Sequence, residues 1–178
     1  SMITSVSTNR LQNIFSRYQD NTQKSGVLFQ NDSHEQETKF RFQTQHYLDQ
    51  WKVAAGTNIQ YSDYGNDTQS MLYNLDYSTG IDFMKYGFFA KAERKLLDDN
   101  LGLSFGFRVD ADSFSKGSSL TDNFSPRLAL TYNLTEDQTW KINASVGRYY
   151  KIPTYTMLGF QNTQRSFVNK NAKYTRSD

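Results

Sequence analysis

Arg108, Asp110 and Asp112 alternate along the ribbon Leu101–Asp112, so a strand projects all three from one face. Charges placed this way could meet a ligand or a neighbouring domain, or form a solvated wall that compensates itself. Arg127 and Ser125, on the next ribbon, are placed for cross-strand pairing with those acids. Lys85, Lys91 and Glu93 hold the equivalent polar positions of the preceding ribbon. Asp110-Ala-Asp112 lacks the further Asp/Asn and Gly of a calcium loop, and His34 and His46 have no partners at ligand spacing. No metal and no cofactor is expected.

Ser113-Phe-Ser-Lys116 matches the Ser-x-x-Lys nucleophile pattern. That chemistry needs a helix and partner motifs, whereas here the run enters the polar stretch 115–119. With no Ser/His/acid set and no phosphate-cradling glycine loop, an enzyme is not expected. The sequons at Asn31, Asn66, Asn123, Asn133 and Asn143 follow from a chain rich in Ser, Thr and Asn. The densest aromatic cluster runs from Tyr149 to Phe160. Tyr149, Tyr155 and Phe160 near a loop base could stack on a sugar or peptide, or pack the loop against its neighbours.

Period-2 alternation dominates the elements that must position these groups, and helical periodicity barely appears. In 101–112 the odd residues are Leu, Leu, Phe, Phe, Val and Ala, and the even ones are small or polar. The ribbons 38–48, 51–61, 81–96, 124–134 and 140–150 repeat the pattern, spoiled in 81–96 by Arg94. Residues 3–18 form a weaker strand. The expectation is all-β: an antiparallel meander of about seven long strands and no helix. Short turns fall at 48–51, 97–101 and 134–140, and long polar loops are expected over 19–37, 62–80, 113–123 and 151–178.

Composition narrows the class. The chain has 178 residues, of which 37% are apolar and 15% aromatic, and mean hydropathy is −0.75. Disordered chains are poor in aromatics, so disorder is disfavoured. No apolar run is long enough for a membrane-spanning helix. Without cysteine there is no disulfide frame, thiol catalysis or zinc ribbon. A net charge of +2 gives no reason to expect nucleic acid. Ser1-Met2, with no signal-peptide pattern behind it, and the polar end at Asp178 suggest a piece cut from a longer protein.

Tight turns at one end and long loops at the other describe an outer-membrane β-barrel, with the apolar face toward lipid and the polar face toward a lumen. Trp51, Tyr61, Tyr132, Trp140 and Tyr150 sit near strand ends, as in interfacial aromatic girdles. Barrels as small as about eight strands fill their interior with packed side chains, so this charged, glycine-rich face suits a larger one. Two alternatives stay open: a smaller pore or adhesion barrel, and a soluble β-sandwich whose apolar faces form an inter-sheet core. A barrel-embedded lipid hydrolase is a remote third.

Three stretches carry a family resemblance. The first is the hairpin from Tyr86-Gly-Phe-Phe-Ala-Lys-Ala-Glu-Arg94 to Leu101-Gly-Leu-Ser-Phe-Gly-Phe-Arg-Val-Asp110. The second is Phe124-Ser-Pro-Arg-Leu-Ala-Leu-Thr-Tyr-Asn-Leu134, and the third Ser145-Val-Gly-Arg-Tyr-Tyr-Lys-Ile-Pro153. In order and spacing they resemble the barrel of a TonB-dependent outer-membrane receptor of the Bacteroidetes type. The resemblance implies a barrel of about 22 strands around a plug, in the outer membrane of a Gram-negative bacterium. It also implies energy from an inner-membrane transducing complex and import of a siderophore, glycan or peptide. This chain would be a wall segment without the plug. Lys85, Lys91, Glu93, Arg108, Asp110, Asp112 and Arg127 would then face the lumen, and Tyr149, Tyr155 and Phe160 would be loop contacts for the ligand.

Overall fold

The computed structural model describes residues 1–116, 118–135 and 139–178. Seven antiparallel strands form one sheet in sequence order, curled into a half-barrel. They are β1 (Met2–Asp20), β2 (Ser25–Leu48), β3 (Trp51–Ser70), β4 (Leu75–Leu96), β5 (Leu101–Asp112), β6 (Ser125–Asn133) and β7 (Lys141–Gly147). Past Arg148, the short strand β8 (Tyr149–Lys151) pairs with β9 (Thr175–Ser177). The end carrying the turns at 49–50 and 97–100 is called lower here.

Alternation decides the faces over the lower half. Trp51, Val53, Ala55, Ile59 and Tyr61 of β3 share the outer face with Met84, Tyr86, Phe88, Ala90 and Ala92 of β4. Phe105, Phe107, Leu128, Ile142 and Val146 continue this apolar band across β5–β7 and stay exposed. At its lower rim Arg94 lies over the Trp51 ring at 5.3 Å and donates to Gln50 at 2.6 Å, which accommodates the one charge in the apolar pattern. Above Tyr61 and Met84 the outward residues become Asp63 and Asp82, and the band ends. Phe105 and Phe107 remain 49% and 43% exposed with no second sheet over them, so the chain does not form a sandwich.

The upper half differs from expectation. The stretches 19–37 and 62–80, expected as long loops, are strand continuing to turns at 21–24 and 71–74. β2 therefore reaches 24 residues, roughly 80 Å at about 3.3 Å per residue. Alternation marks a difference between two environments, and it disappears where both faces are polar although the ladder continues. β2 and β3 stay in one register from Leu48↔Trp51 to Phe29↔Ser70. The turn expected at 134–140 falls partly on 136–138, outside the described residues.

Residues 151–178, expected as an outer loop without helix, instead fold onto the inner face of the upper sheet. They include a single helical turn, α1 (Tyr155–Leu158), too short to leave a 3.6-residue period in the sequence. Tyr64, Ile81, Phe83, Tyr155 and Leu158 form the buried cluster, with Phe114, Ile152, Phe167 and Ala172 packed against it.

Candidate functional site

The inner face carries two neighbouring arrangements. The upper one is built around the Tyr155 hydroxyl. It donates to Glu37 and accepts from Lys85. Ser62 Oγ lies 3.1 Å from it and Gln60 Nε2 donates at 3.2 Å. The ring packs edge-on to Phe83 at 5.5 Å, and the Lys85 ammonium lies 4.8 Å from its centre. The turn continues this attachment. Leu158 is fully buried, Thr79 donates to the Gly159 carbonyl at 2.6 Å, and Tyr77 accepts the Gln161 amide at 3.0 Å. The segment is thus tied to β2, β3 and β4 at once.

Glu37 lies level with Ser62 and Phe83, just above the apolar band. Burial alone would raise its pKa, yet hydrogen bonds from Lys39 and Tyr155 and the charges of Lys85 and Lys39 hold it down to about 2. Burial, then the Glu37 carboxylate, pushes the Tyr155 hydroxyl up, so it remains a donor. Beside Asp112 and Asp110, burial and the two carboxylates push Tyr174 up.

The lower arrangement is a groove of about 600 Å³ behind the apolar band. Arg41 lies over the Phe89 ring at 5.2 Å, and Arg127 over the Tyr149 ring at 4.6 Å. Phe89 can lie against the wall because Gly56 stands beneath it, where a Cβ would come within 2.7 Å of the ring. Between them lies a floor of Ala54, Ser104, Ala129 and Ser145. Arg108 holds Asp110 with two donors at 2.6 and 2.7 Å, and Lys91 pairs with Glu93. Asp110 fits because its partner is Gly87, where a Cβ would stand 2.3 Å from the carboxylate.

The residues singled out from sequence divide accordingly. Lys85 and Tyr155 come together in the upper arrangement, and Lys91, Arg108, Arg127 and Tyr149 border the groove. Asp112 instead accepts the Phe114 and Ser115 amides and organises its loop. Phe160 stacks on Tyr77 at 6.3 Å, still half exposed. Arg127 does not pair across the strand with Asp110 or Asp112. The register sets it opposite Gly106, and Ser125 bonds the Asn123 carbonyl. Glu37, Ser62 and Tyr64 were missed. The signal was Ile81, Phe83 and Phe89, apolar residues on the polar parity of β4. His34 approaches Asp63 at 3.0 Å, and His46 approaches Thr44 at 2.7 Å.

The family model "TonB dependent receptor-like, beta-barrel" matches residues 3–177. The chain belongs to the TonB-dependent receptor barrel family. Barrels of this family reside in the Gram-negative outer membrane, and the family is one of receptors and transporters rather than enzymes. Among solved structures the chain is similar to the copper transporter OprC, with a TM-score of 0.65 and 14% identity. The match covers 88% of this chain and 29% of that one, and at this identity it speaks for the fold alone. No curated protein matches the sequence.

Proposed function

We propose that the chain is a wall segment of an outer-membrane receptor that imports a nutrient by energy-coupled transport. The observation that carries this reading is the two-sided wall: an apolar outer band backed by a charged inner face onto which residues 151–178 fold. The outer band would meet lipid. The inner face would surround a plug domain in the parent protein, whose energy comes from the inner-membrane transducing complex. In this assignment Lys85, Lys91, Glu93, Arg108, Asp110, Asp112 and Arg127 belong to the lumen wall. Tyr149 and Phe160 keep exposed ring surface for a ligand, while Tyr155 positions the segment that carries Phe160. The family match supports the receptor, and the motifs at 124–134 and 145–153 support the Bacteroidetes type. Copper, named for the neighbour, is not carried over. Among the described residues no three His, Cys, Asp or Glu are grouped as a metal site. Siderophore, glycan and peptide remain the ligand classes.

The test is uptake by cells carrying the full-length receptor, measured with and without a protonophore and in a strain lacking the energy transducer. Accumulation should collapse in both. Undiminished accumulation in de-energised cells overturns the reading in favour of a passive pore.

A further inference from the structure

Along one row of the sheet the outward residues are Leu48, Trp51, Arg94, Leu103, Leu130 and Ala144, a single cation in an apolar line. The Arg94 guanidinium is fixed in place by the Trp51 ring and by its bond to Gln50. The Trp51 ring in turn stands edge-on to Phe105 at 5.7 Å. None of these contacts supplies a negative charge. Glu93 is engaged by Lys52 and Lys91, and Asp99 by Lys95, while Asp49 and Asp98 of the adjoining turns form no ion pair with Arg94. Its Nε is enclosed without an acceptor. Among the described residues the Trp51 indole N–H and the Gln50 amide nitrogen also have no acceptor. Donors from three residues thus gather at one place that offers them no anion.

The level of this place decides what can fill it. Trp51 opens β3 directly after the turn at 49–50, and Tyr132 and Trp140 lie at the corresponding ends of β6 and β7. Such rings mark the headgroup zone of a bilayer. Short turns directly below the apolar band belong to the periplasmic end of these barrels, where the leaflet is phospholipid. A guanidinium fork matches the oxygens of a phosphate, and an arginine at a lipid boundary is stabilised by such a partner. Above the Trp51 ring the next outward row holds Ala55 and Ala90 beside the half-exposed Phe107, a low place that suits an acyl chain.

We propose that Arg94, Trp51 and Gln50 form a binding site for the phosphodiester of a phospholipid in the periplasmic leaflet, with an acyl chain over Ala55 and Ala90. The proposal rests on the receptor reading above, in which the outer band meets lipid, and names the lipid group which that band holds. A free phosphate ion is the competing occupant. The apolar residues on either side favour a phosphate that arrives with its own acyl chains.

The experiment titrates the full-length receptor in detergent with phosphatidylglycerol and follows bound lipid by native mass spectrometry. Arg94→Gln should weaken the tightest site roughly tenfold, the worth of a lost charge-assisted hydrogen bond. Arg94→Lys keeps the charge without the fork, and Trp51→Phe keeps the ring without the N–H; each should give a smaller loss. Lys95→Gln removes the neighbouring cation on the inner face and should leave the site unchanged. Barrel mobility on unheated gels reports folding, and if Arg94→Gln alone loses it, the two milder variants decide. Affinity unchanged in every Arg94 and Trp51 variant, or weakened equally by Lys95→Gln, overturns the proposal. Displacement of the lipid by inorganic phosphate assigns the donors to a free anion and also overturns it. Failure of the receptor reading is separately visible, because a passive pore in the same membrane would retain the lipid while ignoring the protonophore.

Discussion

Tyr155 donates its hydroxyl to Glu37, 118 residues earlier in the chain, and so joins the inward-folded segment to the second strand. The same oxygen accepts from Lys85 on the fourth strand. One phenol therefore fixes where residues 151–178 lie against a wall that several strands build.

Tyr155→Phe keeps the ring packing and removes the hydroxyl from four polar neighbours. The expected cost is about 1–3 kcal/mol, the penalty of leaving enclosed polar groups unpaired. Leu158→Ala should cost more, about 2–5 kcal/mol, because Leu158 is fully buried. In the full-length receptor, limited trypsin digestion should cut faster after Arg165 and Lys173 in both variants. The lower strands should keep their resistance.

The same anchor sets a pH dependence. The Glu37 pKa falls from 4.5 to about 2 on folding, so its contribution is complete above about 4.5 and lost as pH falls toward 2. Pepsin digestion from pH 5 to pH 2 should show segment 151–178 losing protection over that interval. Glu37→Gln should remove this dependence.

Gly87→Ala would set a Cβ 2.3 Å from the Asp110 carboxylate and 2.8 Å from the Val109 carbonyl. Overpacking of this kind costs about 1–3 kcal/mol. Gly102→Ala meets nothing closer than 3.7 Å and serves as the matched control. Denaturant unfolding of the receptor in detergent should separate the two.

The outer band makes a prediction about sidedness. Phe88→Arg, midway along the band between the levels of Trp51 and Tyr61, should destabilise the receptor in lipid by about 2–4 kcal/mol, the cost of a guanidinium near the bilayer midplane. Thr131→Arg, on the inner face, should be nearly neutral. Equal effects in equilibrium unfolding would contradict a lipid-facing band.

The lower half of the fold was legible because its two faces meet different surroundings. Leu101–Asp112 alternates without exception, and the strand has those limits. The upper halves of β2 and β3 were illegible for the converse reason. Asn31, Asp32, Asn66 and Asp67 stand on a ladder with polar residues on both faces, and such a sequence resembles a loop. Of the site, Arg108 and Asp110 could be placed from spacing alone, since they share one strand face. The Arg127–Tyr149 stacking and the Tyr155–Glu37 bond could not. They depend on register and on where a distant segment settles, which local pattern does not encode.

Asp49 and Gln50 are all that joins β2 to β3, and the pairing above them continues without a shift to Phe29↔Ser70. Because side chains alternate strictly, one inserted residue at that joint would transpose every side chain of whichever ribbon slipped, exchanging greasy exterior for charged interior. A two-residue connector leaves little slack for such a slip, so it helps hold both ribbons with the same side toward each medium.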